Sequence, residues 1–154
     1  MTPAEIITRR LMARLSKSGV SLPVQSLLVE ALEGERKSVA ASGVVVSCHV
    51  SGQLEEPLPH YTFDVMVRLV VAIDEDKGGS TFADEYAAVW DAMHYLATED
   101  HCTELGDEAD ATDAHVFAVD GFQLSGGDEP DYQDDENGGV WTVSFSATLT
   151  GRAT

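Results

Sequence analysis

One segment limits what this chain can fold into more than any other. From Tyr61 to Asp74 the residue types alternate without a break, with Tyr61, Phe63, Val65, Val67, Leu69, Val71 and Ile73 at odd positions. Thr62, Asp64, Met66, Arg68, Val70, Ala72 and Asp74 fill the even ones. A period of two is that of a β-strand, whose successive side chains point to opposite faces. The odd face is wholly apolar and has to be covered by helices. The even face carries Asp64 and Arg68, which argues against a strand buried on both sides, as strands of parallel sheets are. The expected fold class is therefore α+β, a mostly antiparallel four-stranded sheet with one face covered by helices. With 154 residues and 44% hydrophobic residues, the chain suits a single domain over 1–154 with an ordinary core.

The other elements follow in order. Thr2 is placed to cap a first helix, Pro3 fits its first position, Glu5 can complete a capping box, and Gly19 ends it. Its apolar stripe is Ile7, Leu11 and Leu15, and Arg10, Arg14 and Lys17 line another side. Residues 20–43 predict a short helix or an irregular run between Pro23 and Gly34. Val44 to Val50 is a second strand, antiparallel to the first, and Ser51 to His60 is a connection with Gly52, Pro57 and Pro59, too long for a tight hairpin. Thr81 with Asp84 marks the main packing helix, whose stripe is Phe82, Tyr86, Val89, Trp90, Met93, Leu96 and Ala97. Residues 99–114 are expected to be a solvated acidic loop. His115 to Leu124 is a third strand that keeps its apolar residues on one face only if Asp120 and Gly121 form a bulge. Val140 to Thr150 is the fourth, with Trp141, Val143, Phe145, Ala147 and Leu149 facing inward. Between the last two lies a long acidic loop, 125–139, with glycine pairs at both ends; loops of this length are usually functional or mobile. One core cluster of Phe63, Val65, Val67, Trp90, Trp141, Val143 and Phe145 is expected.

Charge separates the two halves of the chain. The formal net charge is −18, and residues 78–154 hold only Arg152 against seventeen acidic residues, while residues 1–77 hold eight basic and ten acidic ones. Such a surface repels phosphate, which excludes specific nucleic-acid binding and suits a partner with basic patches. Cys48 and Cys102 form no disulfide framework, and the residues after Met1, interrupted by Arg9, Arg10 and Arg14, do not resemble a signal peptide. No apolar run reaches membrane-spanning length. Synthesis in the cytoplasm is expected.

Site chemistry is sparse. Aligning Asp131 or Asp134 to a calcium loop leaves the glycine or the terminal glutamate out of place. His94 and His101 straddle a helix end without a third ligand at suitable spacing, and His60 with Asp64 lacks a nucleophile motif. No catalytic, cofactor-binding or metal-binding residue is assigned, and no enzyme activity is expected.

The order of elements resembles the tail terminator and tail completion (head-tail joining) proteins of long-tailed bacteriophages. Leu54 to Tyr61 leading into the central strand, the helix from Phe82, and Phe117 to Phe122 followed by Val140 to Phe145 carry that resemblance, which covers most of the chain. It implies a structural virion protein of the tail or neck, made in the host cytoplasm, without cofactor. It also implies a homo-oligomeric ring of about six copies that contacts the tail tube protein on one side and a neck or connector protein on the other, with DNA passing through. The acidic stretch from Asp128 to Glu136 departs from the shortest members of such families. An acidic binding module of the DNA-mimic type is the alternative, although mimics need carboxylates on ordered elements. The expected subunit interface pairs Arg10, Arg14 and Lys17 of the first helix with Asp128, Glu129, Asp131, Asp134, Asp135 and Glu136 of a neighbour. In the competing reading these cations offset acidic residues within the same chain.

Overall fold

The alternating segment is the middle of the sheet. In the computed structural model, which describes residues 2–34, 42–54, 59–76, 80–106, 117–126, 129–135 and 138–153, the order of elements is helix α1 (Pro3–Lys17), strand β1 (Val24–Gln25), helix α2 (Leu27–Leu32), strands β2 (Gly43–Leu54) and β3 (His60–Ala72), helix α3 (Ser80–Ala97), and strands β4 (Phe117–Gly126), β5 (Asp131–Asp135) and β6 (Gly138–Ala153). Short 3-10 turns occupy Ile73–Glu75 and His101–Gly106. The sheet has six strands in the order β1-β2-β3-β6-β4, with β5 also paired to β6. It exceeds the four strands expected from sequence by β1, two residues parallel to β2, and by β5. All other pairings are antiparallel, including β2 with β3.

On the odd face of β3, Phe63, Val67, Leu69 and Val71 are wholly buried, while Asp64, Met66 and Arg68 on the even face are exposed. Val44, Val46, Val143, Phe145, Ala147 and Leu149 continue the buried face across β2 and β6. Each large apolar side chain so removed from water contributes about 1.5–3 kcal/mol before entropy. The strand ends at Ala72, two residues before the alternation does, and Ile73 turns out into the 3-10 segment and is 38% exposed.

Helix α1 starts as its sequence dictates, with Thr2 Oγ1 accepting from the Glu5 amide at 3.2 Å and Pro3 in the first turn. The Glu5 carboxylate goes to Arg9 at 3.1 Å instead of back to Thr2, so only half of the capping box forms. Gly19 takes φ +88°, the left-handed conformation that closes a helix most easily without a Cβ. The helix lays Ile7, Leu11 and Leu15 on β2. Helix α3 lies over β3, β4 and β6. It is capped by Asp76, whose Oδ1 accepts from the amides of Thr81 and Phe82 at 3.0 and 3.3 Å, and not by the Thr81 and Asp84 pair.

The expected bulge is present: β4 shifts register against β6 between Val119 and Gly121, and Val119 and Phe122 are both buried as a result. Three loop expectations are corrected. The β2–β3 ladder runs on through Gly52 to Leu54, with a register shift after Val50, so Ser51–Leu54 and His60 of the expected connection are strand, and residues 55–58 lie outside the described residues. In the 99–114 stretch, Cys102 and Leu105 of the 3-10 turn are buried, because that turn packs on β4 and α1. In 125–139, residues 131–135 form an edge strand beside Gly138–Thr142, so this part joins the sheet, while residues 127, 128, 136 and 137 lie outside the described residues.

The core differs from expectation at both tryptophans. Phe63, Val65, Val67, Val143 and Phe145 share one cluster, but Trp90 and Trp141 do not belong to it. Trp90 is 38% exposed. A helix can turn only one stripe to a sheet, and here the stripe runs through Glu85, Val89, Ala92, Met93 and Leu96, leaving Trp90 at its margin.

Candidate functional site

With one sheet face buried, function has to lie on the other face, on the sheet edges, or on the outward sides of the helices. The open face is polar and shallow. Asp64, Met66 and Arg68 of β3 stand between Ser47 and His49 of β2 and Ser144, Ser146 and Thr148 of β6. A hollow of about 360 Å³ is lined there by His49, Asp64, Met66, Ser125, Ser146 and Thr148. His60 and Asp64, near the start of the central strand, are paired elsewhere: His49 Nε2 lies 3.3 Å from Asp64 Oδ2, while His60 Nε2 lies 3.0 Å from Asp120 Oδ2. Arg152 Nε reaches the other oxygen of Asp120 at 3.7 Å. The bulge thus carries an ion cluster that ties β3, β4 and β6 together at one end of the sheet.

The acidic strand β5 forms part of one sheet edge. Glu129, Asp131 and Asp134 are exposed, and Asp135 pairs with Gly138 at the end of the ladder. Asp128 and Glu136 lie outside the described residues. Tyr132 anchors the strand by packing edge-on against Trp141, its cross-strand partner, with ring centroids 5.2 Å apart. Gly139 makes room for this ring, since a Cβ at that position would collide with it. The Tyr132 hydroxyl donates to Asp134 Oδ1 at 3.0 Å, and that bond to a carboxylate holds its pKa above the ordinary tyrosine value.

The basic residues of α1 are placed very differently from one another. Arg10, expected at an interface, is 2% exposed and is among the largest fully buried side chains. Arg14 is half-buried, 3.7 Å from Glu104 and with its guanidinium 4.9 Å from the Tyr95 ring centroid. Lys17 is exposed. Arg9 bridges Glu5 and Glu33 at 3.1 and 2.9 Å, and the hydrogen bond to Glu33 is the main cause of its raised pKa. For Arg9 and Arg14, these cations do offset carboxylates of the same chain. Helix α1 lies on β1 and β2 and β5 lies beyond β6, while the Arg14 end of α1 meets the 3-10 turn His101–Gly106, which packs on β4.

Two features were missed in the sequence. Glu85 is 3% exposed, and its carboxylate accepts from the Ser21 amide at 3.1 Å and from the Ser21 hydroxyl. As a charged residue it is expected outside the apolar stripe with Asp84 and Asp91, but its spacing from Phe82 and Val89 puts it on that stripe. The second is that α3 exposes an aromatic residue at each margin of its buried stripe. Trp90 stacks on His94 with centroids 3.7 Å apart, and Tyr95, 37% exposed, stacks on His101 at 4.0 Å. Among the described residues no group of three or more His, Cys, Asp or Glu stands close enough to hold a metal ion. Both cysteines are free and buried, and burial pushes the Cys48 thiol up to about 12. No helix among the described residues is long and apolar enough to cross a membrane.

The class defined by this geometry is an α+β domain with one covered and one open sheet face and an acidic edge strand. No protein-family model matches the chain, and no curated protein matches it. In shape it is similar to a chain in the virion of a native gene transfer agent particle, with a TM-score of 0.47 and 13% sequence identity over 92% of this chain and 94% of that chain.

Proposed function

We propose that the chain is a structural protein of a phage-type virion, a tail-terminator-like subunit that closes into a ring of about six copies at the head-proximal end of the tail tube and joins the tail to the neck. The observation that carries this reading is the acidic strand β5 along one side of the sheet, with the body of α1 packed on β1 and β2 toward the other side. In a head-to-tail ring each copy offers two different surfaces to its two neighbours, and an acidic edge strand together with a helix that exposes Lys17 would supply surfaces of opposite charge. Of the expected interface residues, Lys17 and the carboxylates of Glu129, Asp131 and Asp134 are exposed. Each exposed ion pair contributes only about 0.2–1 kcal/mol, so charge would set orientation and rate while apolar contacts supply most of the affinity. The element order also supports this reading, with helices on one face of a mostly antiparallel sheet and a helix between the central strand and the last strands.

One observation favours the second reading, an acidic binding module. Asp131 and Asp134 stand on a strand and not in a loop, which removes an objection to a carboxylate array that imitates phosphate spacing. Light scattering coupled to size exclusion separates the two. A ring subunit gives a mass near six chains that falls in an Asp131→Lys/Asp134→Lys variant, whereas a monomer or dimer unaffected by that variant removes the ring reading.

A further inference from the structure

Helix α2 is built the wrong way round for a helix that serves only its own core. At about 100° per residue, Leu27, Leu28, Ala31 and Leu32 fall within an arc of about 140°. All four are exposed, the leucines at 60%, 39% and 52%. The opposite side carries Val29, which is buried, and Glu30 and Glu33, which are held by Gln25 and Arg9 of the same chain at 3.2 and 2.9 Å. An amphipathic helix normally turns its apolar arc to the core, and a helix of six residues has little stability of its own, so these leucines require a cover. Of the ten large hydrophobic residues exposed among the described residues, three stand together here. A contiguous apolar set marks an interface, whereas hydrophobic residues exposed singly need no explanation.

The sheet order points to the occupant. Strand β1, from which α2 follows directly, is one edge of the sheet, and β5 stands beyond β6 at the other. There Tyr132, 44% exposed, packs edge-on against Trp141, and Trp141 stacks on Phe82 of α3 with centroids 5.4 Å apart. Trp141 and Phe82 are only half-buried, so the three rings form an aromatic shelf that leaves ring surface in water. Aromatic side chains are the residue types that most often anchor an interface core. One copy therefore carries an uncovered leucine arc at one edge and uncovered rings at the other, the two unlike surfaces that a head-to-tail contact between copies requires. Charge permits the contact, because the carboxylates of α2 are engaged within their own chain and the leucine arc presents none to Asp131 and Asp134 beside the shelf. We propose that α2 of one copy docks on the β5 edge of the next, with Leu27, Leu28 and Leu32 against its Tyr132, Trp141 and Phe82. This contact rests on the ring reading and supplies the apolar affinity that exposed ion pairs do not.

The test uses the full chain and light scattering coupled to size exclusion. Leu27→Gln/Leu32→Gln exchanges exposed apolar groups for a good helix former. It is expected to weaken association about a hundredfold, roughly tenfold for each leucine no longer buried, so that the mass of the parent oligomer falls toward that of one chain while far-ultraviolet circular dichroism is unchanged. Two variants with one added cysteine each then identify the opposing surface. Leu28→Cys and Asp134→Cys copies, mixed under mild oxidation, should form a disulfide between unlike copies, since Asp134 is on the face of Tyr132 and the natural Cys48 and Cys102 are buried. Each variant carries a single exposed substitution, so the cross-link decides the case even if the double glutamine variant loses its fold. Disulfides among Leu28→Cys copies alone would mean that leucine arcs pair with each other, which overturns the proposal. Undiminished mass in Leu27→Gln/Leu32→Gln also overturns it and leaves the ring reading in place, whereas a parent chain that stays monomeric at high concentration removes the ring reading and this contact together.

Discussion

Strand β6 is held in two ways along its length. From Val143 to Leu149 its odd residues are buried under the helices, with β3 on one side throughout and β4 on the other from Ser146 on. From Gly138 to Thr142 its outer neighbour is β5, whose side chains are largely charged or polar and whose one aromatic, Tyr132, is 44% exposed. Both stretches satisfy their backbone by the same ladder, so the difference is in what lies above the strands. A ladder covered by apolar side chains is stabilised by burial. A ladder with little cover is held by cross-strand pairs, each worth a fraction of a kcal/mol, and is the part free to serve a partner.

The largest effect expected from this contrast is at the centre. Phe145→Ala should destabilise the fold by about 3–5 kcal/mol in chemical denaturation, since the side chain is fully buried and leaves a cavity. A loss below about 1 kcal/mol would show that the middle of β6 is no better held than its arm. Gly121→Ala comes next, because the new Cβ would meet Thr150 Oγ1 at 2.8 Å beside the bulge. It should cost about 1–3 kcal/mol as overpacking, read as a shift in the denaturation midpoint. Trp90→Ala, a core lesion on the sequence pattern alone, should instead cost less than about 1.5 kcal/mol because the indole is at the margin of the stripe. Gly139→Ala should leave global stability nearly unchanged while Tyr132 is displaced from Trp141, and hydrogen exchange should then quicken in 131–135 and 138–142 but not in 143–149. The smallest change is Asp134→Asn, which removes the carboxylate that raises the Tyr132 pKa. Ultraviolet titration should show one tyrosine ionising at lower pH than in the parent chain, and an identical curve would mean that the Tyr132–Asp134 contact does not persist in solution.

Legibility followed locality. Period-two alternation named the buried faces of β3 and of the middle of β6, because in a sheet covered on one side the burial of each residue follows from its parity. The bulge at Asp120 and Gly121 was readable for the same reason, as the apolar phase of β4 slips by one residue there. The capping of α1 by Thr2 and its closure at Gly19 were equally local. The acidic edge was read as a loop because Asp and Gly disfavour strands, and only the ladder offered by β6, with Tyr132 packing on Trp141, makes Asp131–Asp135 extended.

What the sequence by itself determined is therefore the alternating sheet, its covered face and the concentration of acidic charge in the second half of the chain. What only the tertiary structure decided is the rotation of each helix on that sheet and the partners of the charged groups. Rotation sends Glu85 inward to Ser21 and Trp90 outward, and it buries Arg10 while leaving Lys17 in water. Helical spacing fixes which residues share a stripe, but a stripe wider than the groove it fills can settle at several angles, and the angle is chosen by contacts between residues far apart in the chain.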